Sequence, residues 1–333
     1  MFHGKRIVVV VPCYRVARHL RQVLVTMPGF VDAIVVVDDG SPDDIGSVVA
    51  AAEEPRAVVM RHETNLGLGR AMATGFREAL TRHPDIVVKM DGDGQMDPTH
   101  LAALLMPIVK GKADFTKGNR LMHRRTIEGM PPIRLLGNLG LSFVTKVASG
   151  YWNIFDPTNG YLALRRELVE SLDLDRLGRR YFFESSLLIE SNLVGAVVKD
   201  VAIPSRYAGE ISSLSVTGSL LAFPFLLLRG ALRRIVLRYF VRDFTPVALF
   251  TVVGGLLALF GASLGAFQWI RNYGSGTPTP AGTVLLAVLP LLVGFQLLLQ
   301  AAVMDITNVP RESPWELTDP DDAGEPERDR NGV

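Results

Sequence analysis

Cysteine is nearly absent from these 333 residues: Cys13 stands alone, so neither an intramolecular disulfide framework nor a cysteine-rich zinc site can form. A lone thiol suits a reducing compartment. Excess charge is lacking too. The 35 Lys and Arg against 34 Asp and Glu leave a formal charge of +1, which argues against bulk nucleic-acid binding. No P-loop occurs, and "GLGRAMATG" carries G-x-G without the third glycine, or the place after a first strand, that a dinucleotide fingerprint needs. No signal peptide is expected. "IVVVVP" follows Lys5 and Arg6 but is too short for a signal h-region, and reads as the first strand of a sheet. His62, His83, His100 and His123 show no metal-ligand spacing.

What the chain does have is hydrophobic length near its C-terminus. The mean hydropathy of +0.24 owes much to residues 244–270 and 281–304, two uncharged runs joined by the turn-rich "RNYGSGTPTP". Each exceeds the ~20 residues that cross a bilayer, so a transmembrane hairpin is expected. Just before it, Leu228, Leu232, Ile235, Val236 and Tyr239 share one arc of a helical wheel, and Arg229, Arg233, Arg234, Arg238 and Arg242 fill the rest. That pattern predicts an amphipathic helix in the membrane interface with its arginines toward lipid phosphate. The same arginines place the N-terminal flank in the cytoplasm, and two crossings return the acidic, Pro-rich tail there, in the inner (cytoplasmic) membrane. The expected division is a catalytic domain over 1–215, juxtamembrane helices over 216–243, the hairpin over 244–306 and a disordered tail over 307–333.

The first two-thirds alternate short β-rich runs with helical patterns, which predicts an α/β fold with a mainly parallel sheet covered on both faces. Such sheets bind ligands at the carboxyl ends of their strands. Pro12 and Tyr14, then Asp38 and Asp39, then Asp91 and Asp93 all fall there. In "VVKMDGDGQMDP" three aspartates within seven positions repel unless a cation lies between them, so a divalent-metal site competes with a plain polar turn. It is not an EF-hand, because loop positions six and twelve counted from Asp91 hold Met96 and Ala102.

Four segments in order, "VPCYR" (11–15), "VVDDGSPDD" (36–44), "NLGLGRAMATGF" (65–76) and "KMDGDGQMDP" (89–98), resemble the family 2 glycosyltransferases of the GT-A fold. "KGNR" (117–120), "DPTNGYLALRR" (156–166) and "PSRYAGEISSL" (204–214) extend the likeness over roughly residues 5 to 215, toward the dolichyl-phosphate and bactoprenol-phosphate sugar synthases in particular. The resemblance implies a nucleotide-sugar donor, UDP- or GDP-linked, and Mg²⁺ or Mn²⁺ held by Asp91, Asp93 and Gln95. It also implies that Asp39 bonds the nucleobase with Asp38 beside it, and that Pro12 and Tyr14 line the base. Hard oxygen ligands suit those metals, which neutralise the charge that builds on a departing diphosphate. Arg15 stands where many members have Asn, and nothing follows for it.

On the acceptor side the resemblance assigns a polyprenyl phosphate to Arg120 and Arg134, and the donor diphosphate to Arg206. Arg suits forked phosphate contacts. Asp156 is nominated near the reaction centre, with Glu184 second. A phosphate acceptor is already anionic, so it needs a general base less than a hydroxyl does. Some bactoprenol relatives carry an aspartate where Gly160 stands, which leaves the base open. The expected activity is inverting, metal-dependent transfer of one sugar to a polyprenyl phosphate at the cytoplasmic membrane face, with oligomeric state left open. Two rivals are transfer to a glycan or lipid hydroxyl, and a silent membrane scaffold. An intact D-x-D speaks against the latter.

Overall fold

The computed structural model describes residues 1–122, 132–178, 182–203, 216–273 and 278–315, with the side chains of 132–136, 138 and 216–222 excepted. Seven strands form one sheet in the order β3-β2-β1-β4-β6-β5-β7. They are β1 (Ile7–Cys13), β2 (Ala33–Asp38), β3 (Ala57–Arg61), β4 (Ile86–Lys89), β5 (Phe115–Asn119), β6 (Leu162–Arg165) and β7 (Val198–Ala202). All pairs are parallel except those of β6, which runs antiparallel to both β4 and β5.

Alternation along the strands builds two cores. Val8 and Val10 of β1 face one, while Ile7, Val9 and Val11 face the other. On the first face, α3 (Leu68–Thr81) buries Ala71, Met72, Phe76 and Ala79, and α7 (Phe183–Leu193) buries Phe183, Leu187 and Leu188. On the second face, α1 (Ala17–Val25) buries Leu20, Val23 and Leu24, and α4 (Leu101–Val109) buries Leu101, Leu104 and Leu105. The short helices α2 (Ile45–Ala51) and α6 (Arg166–Ser171) complete the layers. Asp44 caps α2 by accepting from the Ser47 N–H at 3.0 Å, a bond of the kind worth about 1 kcal/mol.

A long helix, α5 (Pro132–Ser149), links the middle of the domain to α8 (Val216–Val236), which passes into a π-helical turn over Leu237–Arg242. Then come α9 (Pro246–Asn272) and α10 (Ala281–Thr307), both long and apolar enough to cross a membrane and mostly exposed within the protein. Their backbones approach closely at small residues: a Cβ on Gly254 would lie 2.9 Å from the Gly294 carbonyl oxygen.

Two expectations are corrected here. The arginines of the juxtamembrane helix do not all point outward. Arg233 bonds Glu190, Arg234 is buried against Asp305, and Arg238 bonds Asn192. The exposed side of α8 carries Leu228, at 58 % exposure, and Leu232 together with Arg229, and α5 exposes Phe143 and Val147. A helical wheel sorts residues by angle but cannot say which side the rest of the protein covers. The tail departs from expectation too. Trp315 packs on the first core and the Ser313 hydroxyl donates to Asp114 Oδ1 at 2.5 Å, so residues 308–315 lie along the domain. Residues 316–333 are outside the described residues.

Candidate active site

The sheet sets one edge of the candidate site. Cys13 pairs with Asp38 across β1 and β2, and the Asp39 N–H donates to the Cys13 carbonyl at 2.9 Å, extending that ladder by one residue. On the other side of β1, Val10 pairs with Lys89, and Met90 N–H donates to the Val10 carbonyl at 3.1 Å. Asp38, Asp39 and Asp91 therefore leave neighbouring strand ends, flanking Pro12 and Tyr14. Tyr14 is exposed at this edge, with the Arg15 guanidinium 5.3 Å from its ring centroid. Arg15 itself adopts a left-handed backbone conformation, φ +57°, its N–H donating to Ser41 Oγ at 2.9 Å.

Asp39 is tied down on both oxygens. Oδ1 accepts from Leu66 N–H at 2.9 Å and faces His62 Nδ1 at 2.8 Å, while Oδ2 accepts from Gly67 N–H at 2.8 Å. A carboxylate offers about four lone-pair sites, so a further donor such as a nucleobase N–H still has a place. His62 passes its other nitrogen to Thr74 Oγ1 at 3.0 Å, which locks the ring. Asp38 accepts from Ser41 N–H at 2.8 Å and lies 3.5 Å from Arg61.

Beyond β4 the acidic loop splits into two parts. Asp97 caps a 3₁₀ turn, accepting from Thr99 N–H at 3.0 Å, which is the plain turn role. Asp91 and Asp93 remain as the D-x-D pair, with Asp93 Oδ1 accepting from Gln95 N–H at 2.9 Å and Gln95 exposed beside it. Among the described residues no three His, Cys, Asp or Glu side chains form a metal cage. Mg²⁺ and Mn²⁺ do not require one, because one or two carboxylates plus substrate phosphates and water complete their oxygen shell. Asp91, 30 % exposed, with Asp93 and the Gln95 amide forms an all-oxygen set that fits such an ion.

Lys89 has no exposed surface and packs against Asp91, donating to its Oδ1 at 2.7 Å and to the Gly160 carbonyl at 3.2 Å, with Glu184 Oε1 at 3.4 Å. Burial works against its charge, but the two carboxylates outweigh burial and hold its pKa above the ordinary lysine value. Glu184 is thus the counter-ion of a buried lysine. Gly160 closes over this cluster: a Cβ there would fall 2.4 Å from the Lys89 ammonium and 3.0 Å from Asp91 Oδ2. Lys89 was not singled out in the sequence, although a cation inside the apolar run "IVVKM" is itself a signal, since buried charges must be paired.

A second buried lysine, Lys117, donates to the Asn159 carbonyl at 2.5 Å, so two ammonium groups pin successive residues of the "TNG" loop. Burial pulls its pKa down to about 8, despite the opposing charges of Glu184, Asp156 and Asp200. Asp200 accepts from Asn119 Nδ2 at 2.6 Å and Phe155 N–H at 2.7 Å, and burial raises its pKa.

Arg120 and Asp156, nominated for different roles, prove to be one ion pair. Arg120 donates from Nε to Oδ2 at 2.8 Å, from a terminal nitrogen to Oδ1 at 3.0 Å, and from its backbone N–H to Oδ2 at 3.2 Å. Burial opposes ionisation of Asp156, but these bonds and the Arg120 charge hold its carboxyl below the usual range. A carboxylate so stabilised is a weak proton acceptor. The structure thus gathers Asp91, Lys89 and Glu184 in one cluster, and Arg120 with Asp156 in another. The Arg134 side chain and all of Arg206 lie outside the described residues.

An α/β sheet whose carboxyl edge carries paired aspartates on a D-x-D loop, with an arginine–aspartate pair beside it, is the layout of a GT-A-type glycosyltransferase. The comparisons agree. The sequence profile of glycosyl transferase family 2 matches residues 8–173. An undecaprenyl-phosphate mannosyltransferase of Micrococcus luteus is 30 % identical over 206 residues, covering 60 % of this chain and 82 % of the relative. A UDP-N-acetylglucosamine–dolichyl-phosphate N-acetylglucosaminyltransferase of Methanococcus voltae is 28 % identical over 234 residues, 66 % of this chain and 92 % of its own. The chain belongs to glycosyl transferase family 2 and is a glycosyltransferase. In fold it is similar to glucosyl-3-phosphoglycerate synthase from Mycobacterium tuberculosis, solved with Mn²⁺, UDP and glucosyl-3-phosphoglycerate. That TM-score is 0.52 at 22 % identity, over 69 % of this chain and 80 % of the other.

Proposed function

We propose that this enzyme transfers a single sugar, with inversion, from a nucleotide-sugar donor to a polyprenyl phosphate at the cytoplasmic face of a membrane. The observation that carries this reading is the Arg120–Asp156 pair. Asp156, clasped by the Arg120 guanidinium, is held too strongly acidic to serve a hydroxyl as base, which favours an acceptor that is already ionised. The M. luteus and M. voltae relatives, both named for polyprenyl-phosphate acceptors, support the same class.

A phosphate oxygen of the acceptor attacks the anomeric carbon while the bond from that carbon to the nucleoside diphosphate breaks, the electron pair leaving with the diphosphate. No proton has to move, because the acceptor is already ionised. Asp39 and its loop hold the nucleobase, Asp91, Asp93 and Gln95 hold a divalent ion, and Lys89 keeps Asp91 in place. The bound ion would supply charge neutralisation on the leaving diphosphate. Arg120 orients the acceptor phosphate.

Membrane anchoring rests on α9 and α10. Side chains such as Phe295, 63 % exposed, would each cost about 1.5–3 kcal/mol to leave in water, and lipid removes that cost. The arginine-rich approach to α9 supports a cytoplasmic location for residues 1–243 and the tail. A cysteine introduced at Ser275 is expected to react with an impermeant reagent from outside, and one at exposed Arg311 is not. The reverse pattern overturns the orientation. The activity itself is tested with a panel of UDP- and GDP-sugars, with and without polyprenyl phosphate. Product formed only on glycan or lipid hydroxyls overturns the acceptor assignment.

A further inference from the structure

Arg234 joins three elements that are far apart in sequence. It is 1 % exposed and donates from Nε to the Ala148 carbonyl at 3.0 Å and from a terminal nitrogen to the Val147 carbonyl at 3.2 Å. These are carbonyls of the last turn of α5, which have no partner within the helix. Its terminal nitrogens also grip Asp305, near the end of α10, at 2.7 and 2.9 Å. The Tyr239 hydroxyl donates to the same carboxylate at 2.6 Å. Gly150 is shaped to this contact, since a Cβ there would lie 2.7 Å from the guanidinium. Arg238 adds a second tie, from Asn192 of α7 to the Asn308 carbonyl at 3.0 Å.

Apolar packing alone could hold these helices together at no desolvation cost. A forked Arg–carboxylate pair adds direction, fixing the angle and height of one element against another. The elements it fixes matter. The helix α5 begins beside Arg134 and ends shortly before Asp156, so it spans the acceptor side, and α10 is one of the two helices that set depth in the bilayer.

We propose that the Arg234–Asp305 pair, with Tyr239, is a joint that sets α5 at a defined height over the membrane, so that a membrane-held prenyl phosphate meets Arg120. Arg234, Asp305 and Tyr239 are positioning residues and touch no reacting atom. The proposal rests on the polyprenyl-phosphate reading. It predicts a split that a merely structural role would not produce: the joint matters for an acceptor held in a bilayer and not for one free in solution.

The test uses the full chain, either in liposomes with long-chain polyprenyl phosphate or in detergent with a short, water-soluble prenyl phosphate. Asp305→Asn is expected to raise the KM for the bilayer acceptor roughly tenfold or more, while kcat/KM for the soluble acceptor and donor hydrolysis stay within about twofold. Because Asp305→Asn leaves a buried guanidinium short of its counter-ion and can unfold the protein, Tyr239→Phe is measured beside it. That variant is expected to give the same split at about threefold. Equal losses on both acceptors, or unchanged use of the bilayer acceptor by a folded Tyr239→Phe and Asp305→Asn, overturn the joint. A wild-type enzyme that glycosylates neither prenyl phosphate overturns the acceptor reading instead, and the joint with it.

Discussion

At the donor edge, Asp38, Asp39 and Asp91 are placed by the ends of adjacent strands, and each is held by groups on the sheet or in the loop that follows it. On the proposed acceptor and membrane side, position comes from side-chain ion pairs between segments far apart in the chain: Arg120 with Asp156, Arg233 with Glu190, Arg234 with Asp305. A small soluble donor can be read by a rigid strand edge. On the proposed reading, an acceptor carried in a membrane requires the protein to fix separate helices against the bilayer, a task to which forked charge pairs are suited.

The largest expected effect falls on the donor edge. Asp91→Asn or Asp93→Asn, or excess EDTA on the wild type, is expected to lower transfer by at least about 10²–10³-fold, the scale of losing charge stabilisation on the leaving group. Full activity in EDTA would remove the metal from the comparison. On the acceptor side, Arg120→Ala is expected to lower kcat/KM for the lipid phosphate roughly tenfold to a few hundredfold, from ~1.5–3 kcal/mol of charge-assisted bonding. Donor hydrolysis without acceptor should change much less. Because Arg120 and Asp156 are partners, the double variant with Asp156→Asn should cost less than the sum of the single changes. A severe Asp156→Asn defect beside a near-normal Arg120→Ala would instead mark Asp156 as a base for a hydroxyl.

His62→Ala sharpens the donor half. It frees Asp39 Oδ1 from one of its partners and is expected to raise the donor KM about three- to tenfold with little change in kcat, the worth of one buried hydrogen bond. The smallest effect is one of pH. Lys117, with its pKa lowered by burial to about 8, is charged below that value and neutral above it. The cost of burying its charge is fully present below pH 8 and is relieved as pH rises toward 10.5, the ordinary lysine value, where the unfolded chain also loses the proton. Above pH 8 the cluster of Asp156, Glu184 and Asp200 loses a compensating cation, so KM for the anionic acceptor should rise about two- to fivefold by roughly pH 9. Lys117→Met, which has no proton to lose, should flatten that profile. A wild-type KM constant across this range would show that Lys117 plays no part in acceptor binding.

The gathering of Asp38, Asp39 and Asp91 at one strand edge was legible because its signals are contiguous. "VVVDDGS" and "VVKMDGD" each carry an apolar strand and the acidic loop it presents, so the strand period and the motif place the carboxylates at one edge together. Two strands of the sheet were not read from the pattern. β5 contains Lys117 and Gly118, β6 has four residues, and neither offers an apolar run long enough to stand out. The antiparallel turn of β6 is what brings Gly160 over Lys89, and no periodicity announces it. Of the juxtamembrane arginines, Arg229 and Arg242 are exposed as expected, whereas Arg233, Arg234 and Arg238 turn inward.

By itself the sequence determined an α/β domain followed by two bilayer-length helices, because hydrophobic period and run length are local properties of the chain, and the resemblance of its motifs added the glycosyltransferase reading. Only the tertiary structure decided that Arg120 clasps Asp156, that Lys89 packs against Asp91 beside Glu184, and that Arg234 faces Asp305 rather than lipid. Those partners lie 36, 95 and 71 residues apart (120 to 156, 89 to 184, 234 to 305). Their contact depends on how helices pack across the sheet, which buried area and charge settle jointly and no single segment encodes.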